Sequence, residues 1–282
     1  MLFRSTAARR RAASQVGRTV PGYSAAVPTR AQIADAARGS RRELTVAAIV
    51  FVWIALGAGT DSGAGIWRQR LVGVMTWALL VALLRKERRL VRIQVVGVIL
   101  VATCVEYTAS PFLGYYTYRL HNVPSYVPPG HGLVYLAALS IGCSQMAIVL
   151  RRPFIVFTLA VCGAWAAWGV FLSPREDVFG AIMFLFLLWF TLRGSRPLVY
   201  AGAFLVTSYL ELIGTGVGAW AWAHHDPTGM LSIGNPPSGI PGGYCFLDAA
   251  GVALGPRLGA LFERRPMAWP RLRLRPLPDE AG

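Results

Sequence analysis

The chain has 282 residues, 55% of them apolar and 15% charged, well under the quarter or so of charged residues usual in soluble domains. Its mean hydropathy of +0.48 excludes a water-soluble, disordered or collagen-like chain and points to an all-α integral membrane protein. The net charge of +15 does not indicate nucleic acid, because the basic residues sit in short clusters between apolar runs and form no continuous face.

The first 42 residues contain nine Arg and one acid, Asp35. They read as a disordered basic cytoplasmic arm with no signal-peptide core. Long apolar runs then follow, and each of about 20 residues is a candidate spanning helix, since only helices and closed barrels satisfy their backbone in lipid. Eight are expected, at about 43–60, 66–84, 90–109, 132–150, 154–172, 178–193, 197–217 and 240–262, followed by a cytoplasmic tail over 266–282.

Charge placement orients them. With the N-terminus inside, 24 of the 28 basic residues fall on the inner side and only Arg68, Arg70, Arg119 and Arg175 remain outside. That bias predicts a multi-pass protein of the cell inner (plasma) membrane with both termini cytoplasmic. The Gly-rich stretch from Gly57 to Gly65 lacks the spacing of a nucleotide-binding loop and reads as an outer turn.

The chain also repeats itself. Glu106 is followed by Pro111-Phe112-Leu113-Gly114-Tyr115-Tyr116-Thr117-Tyr118, and Glu211 by Gly214-Thr215-Gly216-Val217-Gly218-Ala219-Trp220-Ala221-Trp222. With one gap, each copy reads Glu, then Gly, then an aromatic at every second position. A double proline and a Pro-Gly pair come next, at Pro128-Pro129-Gly130 and at Pro236-Pro237 with Pro241-Gly242. The period of about 105 residues corresponds to four helices, which predicts two similar four-helix halves, 43–152 and 153–265, related by an axis along the membrane normal.

Removing the topology-setting charges leaves Glu106, Glu211 and Asp248 in apolar runs and His121, His131, His224, His225 and Asp226 toward the outer side. An acid in hydrocarbon is costly and normally faces a bundle interior or wet cavity, so Glu106 and Glu211 are the candidate catalytic acid/base groups. Tyr116, Tyr118, Trp220 and Trp222 are expected to wall a substrate cavity, where ring faces could stabilise a carbocation, with His131 and Asp248 as further polar members. The same residue types also serve helix packing and interfacial aromatic belts.

No metal is expected. The adjacent His224 and His225 lack the spacing of a ligand pair, and Cys104, Cys143, Cys162 and Cys245 lack a CxxC pair. No other cofactor is expected either.

The two segments resemble the membrane carotenoid-biosynthesis family that includes bisanhydrobacterioruberin hydratase. There an intramembrane Glu precedes a Gly/Thr-rich turn and a Pro-Phe-Gly-x-Tyr-x-Tyr stretch. The first copy matches with Leu113 inserted; the second matches Glu-x-x-Gly-Thr, with Trp for Tyr and no Pro-Phe. The likeness spans about 30 residues in each half, and it implies hydration of a carotenoid or another polyprenyl chain. The expected function is therefore a membrane enzyme acting on an isoprenoid or other lipid-dissolved substrate, by acid-catalysed hydration of a double bond. A transporter or flippase using the same Glu residues and a noncatalytic assembly partner are the alternatives. The expected partners are a lipid-soluble small molecule and the bilayer, with no nucleic acid; oligomeric state is open.

Overall fold

The computed structural model describes residues 28–262, so the arm's first 27 residues and the tail from 266 lie outside the described residues. In chain order the helices are α1 (Arg30–Gly39), α2 (Arg41–Asp61), α3 (Ile66–Leu84), α4 (Arg89–Tyr107), α5 (Val127–Gly142), α6 (Gln145–Val149), α7 (Arg151–Phe171), α8 (Val178–Arg193), α9 (Pro197–Gly216) and α10 (Pro241–Phe262). Strands β1 (Tyr116–Tyr118) and β2 (Trp220–Trp222) interrupt them.

Among the described residues, five helices are long and apolar enough to cross a membrane: α2, α3, α4 with its extension to Phe112, α7 and α9. Large apolar side chains such as Val52, Leu56, Val156 and Leu185 point outward. A soluble chain could not leave so much of its hydrophobic surface uncovered, and the fold is that of a multi-pass membrane protein.

Helices overlap all eight anticipated runs, with one notable displacement. The fourth begins at Val127, five residues early, because Pro128 and Pro129 occupy its first turn, where proline's missing N–H costs nothing. It stops at Gly142 instead of running to 150. Gly142 allows close approach of α9, where a Cβ would lie 2.6 Å from the Val199 backbone. Ser144 then caps the short α6, its Oγ accepting from Ala147 N at 3.1 Å.

The basic arm is also ordered further back than expected. Thr29 and Gln32 form a capping box that starts α1, and Met146 N donates to Ser40 Oγ at 2.9 Å, fastening the end of α1 to α6.

The core centres on α5, whose residues Leu133 to Leu139 are all buried. The most extensive helix pairings are α5 with α9 and α4 with α10, both of which cross the expected boundary between halves. Small residues permit each crossing: Gly142 and Gly202 in the first, Gly251 and Gly255 in the second. Helices α4, α5, α9 and α10 therefore form the centre of the bundle.

At the end of α4 the chain widens into a π-helical turn, Thr108–Phe112, closed by Leu113 N donating to Thr108 O at 2.9 Å. A π turn holds one residue more than an α turn, and it absorbs the single-residue gap between the repeats. Gly114 and Gly218, at φ of 73° and 72°, then reverse the chain into β1 and β2, a left-handed conformation that favours glycine.

Candidate functional site

The two strands pair antiparallel, with Tyr116 opposite Trp222, Thr117 opposite Ala221 and Tyr118 opposite Trp220. The ladder continues symmetrically at both ends, Arg119 N donating to Ala219 O at 3.0 Å and Ala223 N to Tyr115 O at 2.9 Å. A local two-fold axis thus passes between Thr117 and Ala221. Alternation along each strand sends the four aromatic rings to one buried face and Thr117 and Ala221 to the other.

That face meets the two acids. Tyr116 and Tyr118 hydroxyls donate to Glu106 Oε2 at 2.8 and 2.7 Å, and His131 Nε2 lies 2.7 Å from Glu106 Oε1. In the mirrored position, the indole N–H groups of Trp220 and Trp222 donate to Glu211 Oε2 at 3.0 and 3.1 Å. Glu211 Oε1 receives no side-chain donor among the described residues. Burial and the neighbouring Glu106 carboxylate push the Tyr116 and Tyr118 phenols far above their ordinary range, so both stay protonated and act as donors.

Local packing explains the Glu-x-x-Gly spacing of the second copy. The Trp220 indole lies flat on α9 where a Cβ at Gly214 would overlap it, so the glycine makes room for the ring that reaches Glu211. Tyr116 and Trp222 approach to 4.7 Å between centroids, and Tyr118 and Trp220 to 6.1 Å.

Both carboxyls, His131 and all four anticipated aromatics line one cavity of about 420 Å³, within the range of small-molecule sites. Most of its wall is apolar, contributed by residues such as Ile54, Ala58, Val72, Val134 and Leu247. Tyr244, which sequence reasoning passed over, also lines it and stacks on His131 at 5.4 Å. Its signal was the Pro241-Gly242 pair, which sets the first turn of α10 beside the site.

Asp248 is not part of the cavity wall, contrary to expectation. It lies one turn further along α10, buried, with no hydrogen-bond partner for Oδ2 among the described residues. The other three His stay apart: His121 sits in the turn after β1, and His224 and His225 follow β2. Asp226 closes its own loop, accepting from Thr228 Oγ1 at 2.6 Å and from Met230 and Leu231 N at 2.9 and 2.8 Å. Among the described residues no three His, Cys, Asp or Glu side chains gather as a metal site.

Two arginines, Arg175 and Arg119, hold the strand pair to the loops around it. Arg175 donates to the carbonyls of Trp222, Ala223 and Ile233 at 2.8, 2.6 and 2.7 Å. Arg119 bridges to Asp61 O and Ala64 O. Tyr126, a cavity residue, donates to Asp61 Oδ2 at 3.1 Å, and Asp177 accepts from Gly234 N, Ser238 N and Ser238 Oγ at 2.7–2.8 Å. Asp61, at the end of α2, and Asp177, just before α8, thus each anchor a long loop that follows a strand.

Comparisons with family models, with curated proteins and with solved structures find no match to this chain.

Proposed function

We propose that this protein is an integral membrane enzyme that adds water to a carbon–carbon double bond of an isoprenoid or other lipid-dissolved substrate. The observation that carries this reading is the convergence of Glu106 and Glu211 on one largely apolar, aromatic-lined cavity. Glu211, in its acid form, delivers a proton from Oε1, the oxygen that neither indole reaches. A carbon–hydrogen bond forms as the π bond breaks, and the neighbouring carbon becomes cationic against the faces of Tyr116, Tyr118, Trp220 and Trp222. Water attacks that carbon, and its surplus proton passes to the Glu106–His131 pair. Proton return to Glu211 closes the cycle, and the product is an alcohol.

The motif resemblance to the carotenoid-biosynthesis family fits this chemistry. All eight apolar helices would span the plasma membrane, with both termini cytoplasmic and the site toward the outer ends of the helices. A transporter is the second reading, favoured by the buried Asp248 on α10, whose Oδ2 has no hydrogen-bond partner among the described residues; it requires a path to both sides that the enzyme does not need.

The test is expression in a host that makes linear polyprenoids, with pigments and lipids compared by mass spectrometry. The enzyme reading expects a product heavier by one water, carrying oxygen from isotopically labelled water and absent with Glu211→Gln. Unchanged profiles would overturn it.

A further inference from the structure

A second hollow lies directly outside the first. Between α2 and α3, on the outward surface, a groove of about 400 Å³ is lined by Ala48, Ile49, Val52, Leu56 and Leu79 together with Thr45 and Trp53. Among the described residues, Trp53 is the one side chain that borders both this groove and the cavity holding the acids. Trp53 therefore stands between the cavity and the outward surface of α2 and α3.

The groove's chemistry selects its occupant. Thr45 Oγ1 is already bonded to Arg41 O at 2.6 Å, and the remaining wall except the Trp53 indole is aliphatic. Beyond the Thr45 oxygen and the Trp53 indole the groove offers a polar headgroup no side-chain partner, whereas a hydrocarbon chain lying against α2 and α3 meets a wall that is almost entirely apolar.

The partition is lightly held. Trp53 is half-buried, and its indole N–H donates once, to Thr76 Oγ1 at 3.1 Å. One turn along α2 stands Gly57, where a methyl group would stand in ordinary contact with Val72 at 3.7 Å and with the indole at 3.9 Å, so the cavity side of the ring has room for about one methyl group.

Taking the cavity as the site of a lipid-dissolved substrate, we propose that the α2/α3 groove is its lateral entrance. The substrate's unreactive apolar tail rests in the groove while the reacting segment passes Trp53 to reach Glu106 and Glu211. This assigns the substrate to linear hydrocarbon chains, polyprenyl or polyene, that lack a headgroup on the portion entering the protein.

The probe is all-trans-retinol, titrated into the full-length protein in detergent and read by energy transfer from tryptophan, with squalene as competitor. Ala48→Phe narrows the groove from the lipid side without touching the cavity, and should slow saturable retinol association by about tenfold. Trp53→Ala should accelerate it, Trp53→Phe should restore the wild-type rate, and Val156→Phe on the outward face of α7 should change nothing. Saturable, squalene-sensitive binding that neither Ala48→Phe nor Trp53→Ala alters would overturn the entrance and leave the cavity assignment standing. Absence of saturable binding in the wild type would remove the cavity assignment and the entrance with it. A Glu211→Gln protein that binds retinol normally yet makes no product separates occupancy from chemistry.

Discussion

Tyr116 and Trp222 face each other across the strand pair with ring centroids 4.7 Å apart, yet they serve different acids, the phenol donating to Glu106 and the indole to Glu211. The two carboxyls are therefore held by one continuous aromatic layer. A change on either strand is expected to reach both acids, and deletions across the layer should be non-additive, as for neighbours in one hydrogen-bonded network.

Glu211→Gln keeps an oxygen for the two indole donors and removes only the transferable proton. Turnover should fall by about 10²- to 10⁴-fold, the usual contribution of a positioned acid, while the thermal midpoint of the detergent-solubilised protein stays close to wild type. Equal turnover in the variant, measured by product mass, would dismiss Glu211 as the proton donor.

Tyr116→Phe and Tyr118→Phe each remove one of the two phenolic donors on Glu106 Oε2. Each should destabilise the fold by about 1 kcal/mol, the net worth of a typical hydrogen bond. The double variant should cost more than the sum, because the carboxylate oxygen then keeps no phenol at all. Chemical denaturation in mild detergent measures this.

Gly214→Ala should displace the Trp220 ring from α9 and destabilise by about 1–3 kcal/mol, the range of overpacking. Gly216→Ala, two residues on and with nothing within 4 Å of its Cβ position, should be neutral or slightly stabilising. Restoration of the Gly214→Ala protein's stability by Trp220→Leu, without return of activity, would trace the effect to that ring.

Asp226 is held below the usual carboxylate range by the Thr228 hydroxyl and the Leu231, Thr228 and Met230 backbone N–H groups. A depressed folded-state value stabilises the loop above the unfolded value of about 3.9, and that contribution is lost as pH falls through the lower folded value. Amides of residues 226–231 should therefore exchange faster with hydrogen at acidic pH than pH-corrected intrinsic rates predict. Asp226→Asn should abolish that pH dependence.

Apolar run length was enough to place a helix in every expected run, and among the described residues five of those helices are long and apolar enough to cross a membrane. The errors fall where local rules overrode run length. Pro128-Pro129 lies ahead of the expected fourth run, 132–150, but falls in the first turn of α5, which puts His131 on a helix facing Glu106. Thr29 and Gln32 carried a capping-box spacing that the surrounding Arg-rich composition obscured. The alternating aromatics at 116, 118, 220 and 222 already had a strand's period of two, a signal easily missed in a chain otherwise helical. Asp248 was misplaced because sequence shows that an acid is buried without showing which side of a helix bundle it faces. The acids' common cavity depended on β1 finding β2, a pairing over about a hundred residues that no local pattern announces.

That long-range pairing bears on how such a molecule could have arisen. A lone strand of three residues would leave its ladder donors and acceptors without strand partners, so a polypeptide comprising only residues 43–152 could not complete its own chamber. If the gene grew by doubling, its precursor would have worked as a homodimer, each copy lending the other its strand. Fusion would then have freed the twin sequences to diverge, tyrosines on one side and tryptophans on the other.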